Sequence, residues 1–116
     1  MPYNETLADR VREIVQESAE PVERKMFGGV AFMVKGHMCV GVIKDDLVLR
    51  LGGDGADEAL RDPNVRPMDF TGRPMKNFLY VAPKGTAKEK DLRKWVRRGL
   101  EYVGSLPPKA DAKKKA

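Results

Sequence analysis

The residues able to do chemistry are few, and most are badly spaced for it. Gly28-Gly29 lies between Phe27 and an apolar run, where a glycine pair either cradles a phosphate or lets a sheet bend. A dinucleotide fingerprint needs G-x-G-x-x-G between a strand and a helix, and a phosphate loop needs a closing Gly-Lys-Ser/Thr. "FGGVAF" has neither and leads into alternating apolar residues. "LGGDGA" does precede a helix-like stretch, but Asp54, Asp57 and Glu58 would repel a phosphate there. The expectation is a bulge or tight bend at Gly28-Gly29, a second turn at Gly36, and no cofactor. His37 and Cys39 stand two apart on a strand-like run and share a face, yet two ligands are too few for a zinc site. One histidine and one cysteine pointing in parallel, with no third group to orient a base, do not make a nucleophile. Asp45-Asp46 falls on an exposed turn and not in a cleft, so the paired carboxylates have no site to serve. The sequence predicts no catalytic residue, no metal and no enzyme.

The remaining chemical feature is a basic helix. In "TAKEKDLRKWVRRGLEYVG", Lys90, Arg93, Lys94, Arg97 and Arg98 lie opposite Leu92, Val96 and Val103 on a helical wheel. Such a stripe suits an acidic protein surface or a phosphate backbone; it also suits a solvated helix face. The net charge of +5 does not argue for nucleic acid by itself, because it is concentrated late in the chain. Residues 1–85 carry 12 basic and 13 acidic side chains, residues 86–106 six and three, and the last ten residues four and one. Nucleic-acid binding is therefore expected to be weak and non-specific at most.

These side chains are positioned by elements whose periods are legible. Leu7, Val11, Ile14, Val15 and Ser18 form one stripe of a helix over roughly 5–19, capped by Asn4 or Thr6 and stopped by Glu20-Pro21. Val30, Phe32 and Val34, then Met38, Val40 and Val42, then Leu47, Leu49 and Leu51 alternate at period two, with polar turns between them. That is an antiparallel three-stranded meander with one face on a helix and the other partly open. Lys25 to Phe27 reads as a further short strand. Asp54 offers an N-cap for a short helix to about Arg61, Val65–Phe70 an edge strand, and "NFLYVAP" a strand ended at Pro83. Thr86 with Glu89 matches a capping box, Leu92, Trp95, Val96, Leu100 and Val103 the buried face of the last helix, and Gly104 its end. The order αβββ(α)βα predicts an α+β, two-layer sandwich with the N- and C-terminal helices on the sheet.

At 116 residues the chain suits one domain over 1–106, with a Lys/Ala/Pro-rich tail at 107–116 unable to bury apolar surface. No apolar run approaches a membrane span, the N-terminus "MPYNETLADR" lacks a signal pattern, and a lone cysteine fits a reducing compartment. The expected location is the cytoplasm.

"ERKMFGGVAFMVKGHMCVGVIKDDLVLRL", "RPMKNFLYVAP" and "LRKWVRRGLEYV" together resemble the N-terminal domain of the TfoX/Sxy family, regulators of bacterial natural competence. The resemblance covers about Asn4 to Val103 and is most specific at Lys25-Met26-Phe27-Gly28-Gly29-Val30. It implies a two-layer α+β domain. Full-length members carry a further helical domain, so the resemblance implies a stand-alone N-terminal domain here. It also implies a non-enzymatic regulator working through protein contacts, to a transcription factor or a polymerase component. The alternative is a small dimeric binding or chaperone-like module with no transcriptional role. A homodimer is among the expected states of either.

Overall fold

Helix α1 (Glu5–Gln16) begins where Asn4 Oδ1 accepts the Leu7 amide at 2.9 Å, the capping geometry that satisfies an otherwise orphaned donor. The computed structural model describes residues 3–26, 28–68 and 75–106. Asn4 is itself pinned, its amide donating to Lys44 O at 2.7 Å. Leu7, Ala8, Val11, Ile14 and Val15 are buried along one stripe. The helix is shorter than its sequence pattern: Glu17 and Ser18 turn back to Ile14 O and Val15 O, tightening the last turn ahead of Pro21. Ser18 is left exposed.

Six strands follow in one antiparallel sheet. They are β1 (Val22–Met26), β2 (Gly29–Val34), β3 (His37–Ile43), β4 (Asp46–Arg50), β5 (Val65–Met68) and β6 (Met75–Val81), in the order β1-β2-β3-β4-β6-β5. The meander thus has four strands, and the short strand expected before the glycines is a full edge strand. β6 inserts between β4 and β5, pairing Leu49 with Leu79 on one side and Arg66 with Tyr80 on the other. Val34 opposes His37 across Lys35-Gly36, whose φ values of 54° and 83° make the two-residue hairpin turn that suits strand twist. Gly28 supplies φ +78° ahead of β2, as the bend reading required. Phe27 lies outside the described residues. The register shift in this region falls farther along, between Phe32 and Met33.

Helix α2 (Gly53–Ala59) and helix α3 (Glu89–Gly104) complete the fold. Two caps differ from expectation. Gly52, not Asp54, is the N-cap of α2, and Asp54 sits in the first turn, where its charge still suits the helix dipole. Thr86 does not cap α3: its hydroxyl donates to Pro83 O at 3.3 Å, closing a 3-10 turn over Pro83–Gly85, and Lys88 takes the N-cap position without a side-chain bond. Glu89, the would-be reciprocal cap, is drawn to Arg10 and Arg93 instead. Gly104 is the last helical residue, with Ser105 as C-cap.

α1 and α3 lie together on one face of the sheet and share a core with it. Val11, Val15, Phe32, Val40, Val42, Leu47, Leu49, Leu92, Trp95, Val96 and Val103 are 0–2% exposed there, and Leu100 packs at its rim. The opposite face is more closed than alternation suggested. Ala31, Met38, Ile43, Val48, Met68 and Tyr80 form a second buried cluster, flanked by the partly buried Met33 and Phe78. Arg66 lies over the Tyr80 ring at 4.5 Å and pairs with Asp46 at 2.8 Å, so a long basic side chain shields the apolar surface. The architecture is α+β, as its periods predict.

Candidate functional site

α3 presents the five cations singled out in the sequence, and the fold divides them. Trp95, 2% exposed, anchors the helix in the core, with Lys94 Nζ 4.4 Å and the Arg98 guanidinium 5.4 Å from its ring. Arg93 reaches across to α1, pairing with Glu17, and back one turn to Glu89 at 3.2 Å. The Glu17 bond, above all, raises the Arg93 pKa further above its ordinary value. Arg98 reaches the other way, donating to Gly55 O and to Glu58, both at 3.3 Å. Arg93 and Arg98 are therefore fastened to α1 and α2. Water and salt screen such pairs, so they add little stability, and their effect is to hold α3 in place between its neighbours.

Lys90, Lys94 and Arg97 point outward and are exposed. Arg97 keeps only a 3.8 Å approach to Glu17 and a side chain 62% exposed. At i, i+4 and i+7 they make one stripe along two turns, continued by the exposed Glu101. This is a compact cationic surface on a rigid helix. Sequence spacing identified the stripe, but not which members carry internal partners: Glu17 and Arg93 are 76 residues apart.

Two further features had no signal in the sequence. A hollow of about 530 Å³ opens beside the C-terminal ends of α1 and α3, lined by Ala19, Val34 and Leu100 with Glu20, Lys35 and Glu101 at its polar margin. Arg50, at the end of β4, holds its guanidinium 5.6 Å from the Phe78 ring and 5.8 Å from the Tyr102 ring, with Nη1 3.5 Å from His37 Nδ1. Its Nε is buried without a hydrogen-bond partner among the described residues.

His37 is half-buried at the start of β3, beside Arg50. Cys39 is fully buried in the helix-side core. Burial pushes its thiol up to about 12, against a smaller opposing pull from the Arg50 charge. A thiol so placed carries almost no thiolate at neutral pH, which disfavours attack or metal ligation by Cys39 in the folded protein. We expect Cys39 to resist an aromatic disulfide reagent at pH 8 in the folded protein and to react fully once denatured. Labelling of the native protein on a mixing timescale would contradict this. Among the described residues no three His, Cys, Asp or Glu side chains gather as a metal would require, and no helix is long and apolar enough to cross a membrane.

Comparison with known proteins bears on the chain as a whole. No curated protein and no solved structure is a match. The family profile described as the TfoX N-terminal domain matches residues 13–103, from the last turn of α1 to the last turn of α3, and the chain belongs to that family.

Proposed function

We propose that this domain is a non-enzymatic regulator of the competence type, acting in the cytoplasm by contact with an acidic surface of a partner protein in transcription control. The observation that carries this reading is the exposed stripe Lys90–Lys94–Arg97 on a helix whose other side is core. Family membership supports the regulatory context. Leu92, Trp95, Val96 and Val103 commit the inner face of α3 to the core, which leaves Lys90, Lys94 and Arg97 as the cations its outer face offers. Phosphate-only contacts by three side chains give weak affinity that falls steeply with salt.

Titration of fluorescent duplex DNA against the full chain tests this. We expect binding at low ionic strength to be insensitive to DNA sequence and to be lost near physiological salt, with removal of residues 107–116 weakening it further. Tight binding of one DNA sequence at physiological salt by the shortened protein would replace the adaptor with a direct DNA-binding regulator. The second reading, a small binding module outside transcription, draws on the hollow lined by Ala19, Val34 and Leu100. It predicts that Leu100→Arg abolishes partner binding, whereas reversing Lys90 and Lys94 does not.

A further inference from the structure

The two edges of the sheet are unlike. β5 is closed as a docking edge: Pro67 has no amide to donate, the register shifts between Pro67 and Met68, and Arg66 is committed to Asp46. β1 is open. Its five residues contain neither proline nor glycine, Val22, Glu23, Arg24 and Lys25 are all exposed, and Val22 is 58% exposed. Among the described residues β1 pairs only with β2, so its outer row of backbone groups has no strand to meet. Such a row is a template for another strand unless charge prevents it.

The charges on β1 are ordered. Glu23 and Lys25 oppose Phe32 and Val30 and so stand on the helix side, while Val22 and Arg24 oppose Met33 and Ala31 on the other side. We propose that β1 pairs antiparallel with β1 of a second copy of this chain, about a two-fold axis through Arg24. An axis normal to the sheet keeps each face with itself, so only residues of the same face can stand opposite one another. A centre at Glu23 sets glutamate against glutamate, and a centre at Lys25 sets lysine against lysine. The centre at Arg24 sets each Glu23 against the second copy's Lys25, twice, and leaves one Arg24 facing its own image. Opposite charges stabilise directly opposed positions and like charges destabilise them, so this register is selected. Arg12 fixes Glu23 for the purpose, with Nε–Oε2 at 2.5 Å and Nη2–Oε1 at 2.9 Å, and its hydrogen bonds hold that carboxyl below its usual range and charged.

Five residues bury too little surface for a permanent dimer, so association is weak and concentration-dependent. The inference uses β1 and α1, not the cationic stripe of α3, and does not rest on it. Sedimentation velocity on the full chain from about 10 μM to about 1 mM, with hydrogen exchange of the β1 amides, tests it. We expect the dimer fraction and β1 protection to rise together. Lys25→Glu, which opposes two acids across the axis, lowers the association constant at least about tenfold, and Arg24→Thr, which relieves the axial repulsion, raises it several-fold. Both positions are exposed, and circular dichroism checks that each variant is folded. A monomer throughout, with β1 exchange independent of concentration, overturns the proposal. So does a dimer in which either substitution fails to act in its stated direction.

Discussion

Gly29→Ala is expected to lower the melting midpoint by roughly 15 °C or more, or to prevent folding altogether. A Cβ at Gly29 would lie 2.0 Å from Val42 O and 3.0 Å from Val42 C, both backbone atoms of the central strand β3. Main chain in the middle of a sheet cannot step aside as a side chain can, so β2 and β3 must separate. That places the cost on the order of 3 kcal/mol or more, a large part of the 5–15 kcal/mol that holds a domain of this size. Gly28→Ala makes the contrast. Nothing lies within 4 Å of its added Cβ, and the strain comes only from φ +78°, about 1 kcal/mol. A thermal scan of both variants separates the two uses of one glycine pair. Equal effects at the two positions, or a Gly29→Ala shift below about 3 °C, would contradict the close approach of β2 to the Val42 carbonyl.

Trp95→Ala is the second large effect. The indole is 2% exposed and is the largest side chain by which α3 meets the sheet, and deleting an aromatic from such a position costs about 3–5 kcal/mol. The loss also reaches the outer surface. Lys94 and Arg98 lie against the ring, so its removal takes one contact from each and loosens the stripe to which Lys94 belongs. Arg98→Ala removes an exposed pair with Glu58, one bond to Gly55 O and the contact with the Trp95 ring, and is expected to cost about 1 kcal/mol. Denaturation followed by far-ultraviolet circular dichroism measures both. The account fails if Trp95→Ala is no more damaging than Arg98→Ala.

Where one element repeats a period over several residues, the chain could be read directly. The α1 stripe from Leu7 to Val15 and the alternating residues of β2, β3 and β4 are of this kind and are buried. The strands bury their other face too, and Met38 falls on the side opposite Val40 and Val42. β1 was half visible, because Val22-Glu23-Arg24-Lys25 puts charge on both faces, which a strand at the sheet's edge tolerates. The insertion of β6 between β4 and β5 leaves no local trace, since pairing Leu49 with Leu79 spans thirty positions of chain. The Thr86–Glu89 capping box matches the local rule, yet Arg10 binds Thr86 O at 3.0 Å and competes for Glu89 from another helix. The site follows the same pattern. Spacing on α3 located five cations on one face; only the tertiary partners Glu17 and Glu58 separate Arg93 and Arg98, which brace the helix, from Lys90, Lys94 and Arg97, which face outward.

The central claim is that this outward stripe meets protein rather than nucleic acid, and a photo-crosslinking side chain placed at Lys94 tests it most directly. The full chain carrying that group is irradiated in a bacterial lysate with and without nuclease, beside a control carrying it at the exposed Lys44 in the turn between β3 and β4. The account predicts a discrete protein adduct at Lys94, unchanged by nuclease, absent at Lys44 and lost when Lys90 and Arg97 are both replaced by Glu. An adduct that disappears with nuclease, or one that survives the double charge reversal, would contradict it.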